Sequence, residues 1–227
     1  MLVVRGLLGG LFQLALFASL LLIPAGTVHW PRAIQFLLAY GIVLFASTIW
    51  LGIVAPSSLE ARLEPAINKK QPVADRVATA FIGLAVGGWM IFIPIDVFRL
   101  QLLPTPSLGV SMCGAGLGAG GFAIILTALY QNAFATPVVR DQSERGHTLV
   151  DTGLYARVRH PFYTGFLLML LGLALWLESY AAAIALPVVL ASLLVRIHIE
   201  EKTLRETLPG YIEYMSKVPH RLIPGAW

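Results

Sequence analysis

The chain has 227 residues, of which 57% are hydrophobic and only 12% are charged. A soluble domain carries about 25% charged residues, so this composition excludes an ordinary soluble protein and favours one embedded in lipid. The net charge of +4 is small, and the single cysteine, Cys113, excludes an intramolecular disulfide. The length suits one domain of several membrane spans, without a separate soluble domain.

Six apolar runs follow one another along the chain and predict six membrane-spanning helices. Crossing the hydrocarbon core takes about 20 helical residues, in a range of about 17–25. The first four runs meet this length, whereas the last two hold 16 residues each and are short on their own. Cleavage of the first run as a signal peptide would leave five spans. In chain order the runs are Gly6–Ile23, Ala33–Val54, Val77–Ile95, Leu108–Tyr130, Phe162–Leu177 and Tyr180–Val195.

A glycine-rich run lies in the fourth predicted span and reads G-A-G-L-G-A-G-G, from Gly114 to Gly121. It lacks the preceding strand that a dinucleotide-binding loop requires. Small residues in a membrane helix allow a neighbouring helix to approach closely. We therefore interpret the run as a helix-packing surface.

Lysine and arginine are distributed unevenly between the two sides of the predicted bundle. With the N-terminus inside, 14 of the 16 lie on the inner side, and only Arg32 and Arg99 lie outside. Positive charge accumulates on the cytoplasmic side of membrane proteins. We therefore expect both termini and the connection Gln131–Arg159 to be cytoplasmic. We expect a multi-pass protein of a bacterial inner membrane, with its active site on the cytoplasmic side.

The last two apolar runs form a tight hairpin with a polar cluster at each of its open ends. Arg159 and His160 precede the first run, and Arg196, Glu200 and Glu201 follow the second. Because a hairpin returns the chain to the face it left, the two clusters should meet; we call this place the mouth of the hairpin. Charged groups at such a place are costly without partners or a function, so we predict the active site there. The plainer alternative is an ion pair between Arg196 and Glu200, which are four residues apart on one helix.

The polar clusters belong to a longer motif. It reads G-L-Y-A-R-V-R-H-P-F-Y-T-G from Gly153 to Gly165, then has the acidic pair, and ends with L-P-G-Y-I-E-Y-M-S-K-V-P-H-R-L-I-P-G from Leu208 to Gly225. Residues 132–227 thereby resemble the isoprenylcysteine carboxyl methyltransferase and phospholipid methyltransferase superfamily. Membrane sterol reductases share part of the motif, but they carry Asn and Glu where this chain has Phe162 and Phe166. This departure favours the methyltransferases.

The resemblance implies S-adenosyl-L-methionine as the cofactor, held by the last two helices and the loops around them. The apolar runs predict an all-α polytopic membrane bundle with four transmembrane helices in residues 1–130, and the resemblance assigns the methyltransferase core to residues 131–227. We assign Arg159 and Arg196 as catalytic groups that hold the acceptor, and Tyr211 and Tyr214 to the substrate side. The implied cofactor-binding residues are His147, Leu149, Val150, Tyr155, His160, Pro161, Tyr163, Gly165, Glu200 and Glu201.

The activity that the resemblance implies is O-methylation of the carboxylate of an isoprenylcysteine-like or other lipophilic acceptor, which enters from the bilayer. Two alternatives stay open: an N-methyltransferase of phosphatidylethanolamine-type phospholipids, and an NADPH-dependent sterol-type membrane reductase. We expect no metal and no nucleic-acid partner. We also expect Glu201→Gln to weaken cofactor binding and leave the fold intact, because we take Glu201 for a carboxylate on the surface of the mouth.

Overall fold

The computed structural model describes residues 1–63, 67, 72–132 and 148–226. Within them the regular structure is helical throughout, which confirms the all-α class. A π-helical turn, Asp96–Leu100, extends the fourth α-helix, and a 3-10 helix, Gly153–Ala156, precedes the sixth. The α-helices are α1 (Leu2–Ala25), α2 (Pro31–Val54), α3 (Pro56–Arg62), α4 (Val73–Ile95), α5 (Leu108–Gln131), α6 (Pro161–Trp176), α7 (Tyr180–Thr207) and α8 (Tyr211–Lys217).

The architecture is that of a polytopic membrane helix bundle. In the part of the chain that the structure describes, five helices are long and apolar enough to cross a membrane: α1, α2, α4 with its π-helical turn, α5 and α7. The fifth predicted span corresponds to α6, an apolar helix of only 16 residues that falls short in length alone. By contrast, α7 continues from Tyr180 through Thr207, well past the end of its apolar run. It therefore carries Arg196 and the acidic pair on one continuous helix.

Helices α5 and α6 pack with their backbones almost in contact, along a line of glycines. A Cβ atom built on Gly121 would lie 2.5 Å from the carbonyl oxygen of Gly165, and one on Gly172 would overlap the backbone nitrogen of Gly118. Side chains at these positions would force the two helices apart. The glycine-rich run is therefore a helix-packing surface, as the sequence predicts.

Helices α4 and α7 lie side by side in opposite directions. The indole nitrogen of Trp89 donates to the carbonyl of Ala182 at 2.8 Å. At the far end of α4, the buried carboxylate of Asp96 accepts a hydrogen bond of 2.6 Å from Ser179, the residue that caps α7. Because the end of α4 is tied to the start of α7, its beginning lies beside Arg196.

The segment after α8 returns to the start of α6. The backbone nitrogen of Arg159 donates to the carbonyl of His220 at 3.0 Å, and that of His160 donates to the carbonyl of Arg221 at 2.9 Å. Two consecutive backbone hydrogen bonds thus hold the C-terminal segment against the mouth of the hairpin. This contact brings a further arginine, Arg221, to the acidic pair.

Candidate active site

The structure brings the two polar clusters together at the mouth of the hairpin. Pro161 occupies the first position of α6, where its fixed backbone angle suits a helix start. The α6 side of the mouth therefore presents His160 and Tyr163, which face Glu200 and Glu201 of α7. The Tyr163 hydroxyl donates to Glu200 at 2.8 Å, and His160 Nε2 lies 3.2 Å from Glu201.

Glu201 is completely buried and is the centre of an ion network. Its two carboxylate oxygens accept from Arg159 Nε at 2.8 Å and from Arg221 Nε at 3.0 Å. Arg205, one turn further along α7, adds a weaker contact of 3.8 Å. Glu201 thus joins the start of α6, the end of α7 and the C-terminal segment. The expectation of a carboxylate on the surface of the mouth is wrong for this residue, because its oxygens are enclosed by internal partners.

Arg159 is held entirely by groups of the protein. Besides its bond to Glu201, its Nη1 donates to the carbonyls of Val218 and Pro219, each at 2.8 Å. Its side chain is 4% exposed. In the structure this guanidinium binds a carboxylate and two carbonyls, so it fixes the C-terminal segment, and the assignment of Arg159 as a catalytic group stays a prediction.

Arg196 lies where three helices meet. Its Nε donates to the hydroxyl of Tyr163 on α6 at 3.0 Å, and its Nη1 donates to the hydroxyl of Thr79 on α4. The same Nη1 lies 3.6 Å from a carboxylate oxygen of Asp75, also on α4. Since the Tyr163 hydroxyl also donates to Glu200, a continuous chain of hydrogen bonds runs from Arg196 to Glu200. A tyrosine hydroxyl thus lies between Arg196 and Glu200 and forms a hydrogen bond with each.

Sequence reasoning missed Asp75 and Thr79. Thr79 lies 117 residues from Arg196 in the chain, and neither residue belongs to the recognised motif. One signal did exist: Asp75 is an acidic residue at the very start of an apolar span, four residues before Thr79. An acid in such a position is costly without a cationic partner.

Glu200 is the acid of the pair that solvent and ligands can reach. Its side chain is 27% exposed, and its second oxygen lies 4.0 Å from Nδ1 of His160. The two neighbouring glutamates have different surroundings, because successive residues point about 100° apart around a helix. The cofactor-binding role expected for the pair stays a prediction, and the geometry favours Glu200 for it.

The two tyrosines of α8 are both buried but differ in their hydroxyl groups. Tyr214 donates to the backbone carbonyl of Tyr155 at 2.7 Å and so fixes the 3-10 helix. The hydroxyl of Tyr211 has no hydrogen-bond partner among the described residues. Burial, and then the negative charges of Glu201 and Glu200, raise the pKa of Tyr211. The hydroxyl therefore keeps its proton at neutral pH and is a buried donor without an acceptor in the described part of the chain.

The remaining predicted cofactor-binding residues lie around this centre. Leu149 packs against the apolar cluster of α8, and Val150 beside it is half-buried. Gly165 lies in the glycine line between α5 and α6, so its lack of a side chain serves helix packing. Tyr155 is buried, and burial raises the pKa of its hydroxyl. His147 lies outside the described residues.

Comparison with known proteins finds similarity to methyltransferases in the C-terminal half of the chain. A family model described as phospholipid methyltransferase matches residues 110–209. Protein-S-isoprenylcysteine O-methyltransferase B of Arabidopsis thaliana is 36% identical over 86 residues, which cover 37% of this chain and 44% of the relative. Protein-S-isoprenylcysteine O-methyltransferase of Saccharomyces cerevisiae is 39% identical over 83 residues, which cover 36% of this chain and 35% of the relative. The chain thus matches less than half the length of either relative.

Proposed function

We propose that this chain, a member of the isoprenylcysteine carboxyl methyltransferase and phospholipid methyltransferase superfamily, is an integral-membrane methyltransferase that O-methylates the carboxylate of a lipophilic acceptor. The proposal depends mainly on the position of the Arg196 guanidinium. Its Nε donates to the hydroxyl of Tyr163, and that hydroxyl donates in turn to Glu200. Guanidinium groups bind carboxylates with two parallel hydrogen bonds. The names of both relatives describe O-methylation of an isoprenylcysteine.

The residues of the mouth fit S-adenosyl-L-methionine, the methyl donor that the family implies. This molecule carries a positive sulfonium, an amino group and ribose hydroxyls, which call for a carboxylate and for hydrogen-bonding side chains. Glu200 supplies a carboxylate that is partly exposed. Tyr211 supplies a buried hydroxyl donor without a partner among the described residues. These two side chains would hold the cofactor.

In the mechanism that we propose, Arg196 binds the acceptor carboxylate and orients one of its oxygens. The cofactor, held by Glu200 and Tyr211, would supply an electrophilic sulfonium methyl group for that oxygen, with S-adenosylhomocysteine as the leaving group. A carboxylic acid with a pKa of about 4 is ionised at neutral pH, so the protein needs no general base. Alignment of the reacting groups and exclusion of water are then the main tasks of the site.

We further propose that the acceptor reaches the mouth from the bilayer. The outer face of α7 is apolar: Ile184, Val188 and Val195 are each more than half exposed. An acceptor with an apolar tail keeps that tail in hydrocarbon while its polar head meets Arg196. The distribution of lysine and arginine supports a mouth on the cytoplasmic side of the membrane.

A second candidate is N-methylation of a phospholipid amine, which the description of the matching family model favours. An ammonium group must lose a proton before it attacks a methyl group. Glu200 and His160 are the groups placed to accept that proton, with 4.0 Å between the histidine Nδ1 and the carboxylate. The neighbouring charge of Arg196 opposes binding of an ammonium, which is why we rank this candidate second.

The acceptor class can be tested by methyl transfer from labelled S-adenosyl-L-methionine. We expect purified wild-type protein to methylate an S-prenylcysteine analogue in preference to phosphatidylethanolamine. Arg196→Lys should reduce transfer to the carboxylate by about tenfold or more, because a lysine ammonium is a point charge without the planar fork. Methylation of the phospholipid alone, unchanged in Arg196→Lys, would establish the second candidate instead.

The cofactor site can be tested separately with the two tyrosines of α8. Tyr211→Phe should weaken binding of S-adenosylhomocysteine by about fivefold, since a buried hydrogen bond contributes about 1 kcal/mol. It should leave thermal stability unchanged, because the lost hydroxyl has no partner in the described part of the protein. Tyr214→Phe is the matched control: it removes the bond to Tyr155 and should lower stability without changing affinity. The reverse pattern, measured by calorimetry and thermal unfolding, would remove Tyr211 from the cofactor site.

A further inference from the structure

The start of α4 presents a buried acid and a hydroxyl to Arg196. Asp75 has no exposed surface, and one of its carboxylate oxygens lies 3.6 Å from Arg196 Nη1. Thr79 follows four residues later, so both side chains share one face of the helix. Its hydroxyl accepts a hydrogen bond from the same Nη1. One nitrogen of the guanidinium is thus in contact with two groups of α4.

Two further neighbours fix the opposite side of this guanidinium. The hydroxyl of Tyr163 on α6 accepts from Nε. Glu200, four residues further along α7, attracts the positive charge of Arg196 towards the cofactor side of the mouth. Asp75 attracts it in the direction of α4. The plane of the guanidinium is therefore set by contacts on two sides.

We propose that Asp75, together with Thr79, is a positioning residue that holds the Arg196 guanidinium in the orientation that binds the acceptor carboxylate. The inference rests on the proposed function, because the orientation of Arg196 matters only if Arg196 binds the acceptor. The proposed role of Asp75 involves the N-terminal half of the chain in that function. Asp75 and Thr79 lie before residue 110, where the match to the family model begins. The N-terminal helices therefore contribute to acceptor recognition as well as to membrane insertion.

The test compares two probes that differ in one charge: an S-prenylcysteine analogue with its carboxylate, and the methyl ester of the same analogue. Binding of each to purified protein in detergent is measured by calorimetry, together with binding of S-adenosylhomocysteine and thermal stability. The variants are Asp75→Asn and Thr79→Val, which keep the shape of the side chain. Thr79→Ser keeps the hydroxyl and is the conservative control. Asp96→Asn removes the other buried aspartate at the far end of the same helix, about 30 Å away along its axis.

We expect the wild type to bind the acid more tightly than the ester. In Asp75→Asn and in Thr79→Val that preference should fall by about tenfold, the effect of one charge-assisted hydrogen bond. Affinity for the ester and for S-adenosylhomocysteine should stay unchanged. Thr79→Ser and Asp96→Asn should both retain the preference of the wild type for the acid.

Three outcomes would overturn the proposal. If the wild type prefers the acid and both Asp75→Asn and Thr79→Val keep that preference, Arg196 does not depend on α4 for its orientation, although the proposed function stands. If Asp75→Asn and Asp96→Asn reduce all affinities equally and lower stability to the same degree, Asp75 is structural. If the wild type shows no preference for the acid, then Arg196 does not bind a carboxylate, and the proposed acceptor class fails together with the role of Asp75.

Discussion

Substitution of Gly172 by alanine should destabilise the protein strongly. The added methyl group would overlap backbone atoms of Gly118 and lie 2.5 Å from the carbonyl oxygen of Gly114. Neither contact can be relieved by a side-chain rotation, because all of these atoms belong to the backbones of α5 and α6. Overpacking of a core costs about 1–3 kcal/mol when side chains can adjust. We expect a loss of about 3 kcal/mol or more here, because the two helices themselves must separate.

Gly116 provides the matched control on α5. A Cβ atom at this position meets nothing within 4 Å. Gly116→Ala should therefore be neutral or stabilise the helix by up to about 1 kcal/mol, the difference in helix propensity between the two residues. Thermal unfolding in detergent, followed by tryptophan fluorescence, measures both variants. Equal stabilities of Gly172→Ala and Gly116→Ala would show that α5 and α6 do not pack along the glycine line.

The sequence predicted the helices well, because membrane insertion depends mainly on apolar composition along the chain. The predicted span Val77–Ile95 ends at the residue where α4 ends, and Leu108–Tyr130 falls one residue short of α5. The glycine-rich run was also identified as a packing surface. Its partner could not be predicted, because Gly165 and Gly172 are isolated glycines whose alignment with α5 depends on the depth of both helices in the bundle.

The sequence was less informative about the candidate site. The predicted hairpin implied that the start of α6 meets the acidic pair, and in the structure these residues lie together. It could not tell which of Glu200 and Glu201 is enclosed, since that depends on Arg221, which a long-range backbone contact brings into place. It also could not reveal Asp75, because pairing between distant helices leaves no periodic pattern in a single sequence.

Loss of the buried carboxylate of Glu201, at the centre of the ion network, should also destabilise the protein strongly. Glu201→Gln keeps the size of the side chain but leaves two arginines, Arg159 and Arg221, without their shared negative charge. The Arg159 side chain is 4% exposed and that of Arg221 28%, so water cannot replace the lost partner of Arg159. Breaking a buried ion pair from one side costs about 3–5 kcal/mol. We therefore expect a marked fall in thermal stability, in contrast to the intact fold expected from sequence.

Glu200→Gln is the control that separates folding from binding. The two substitutions are chemically identical and lie at adjacent positions of α7. Glu200, however, is partly exposed, and its main partner, the Tyr163 hydroxyl, can still donate to an amide oxygen. Glu200→Gln should keep the stability of the wild type and reduce the affinity for S-adenosylhomocysteine by roughly ten- to a hundredfold, since a charge-assisted hydrogen bond contributes about 1.5–3 kcal/mol. If Glu201→Gln keeps its stability and loses affinity instead, then the buried network contributes little to folding and Glu201 itself binds the cofactor.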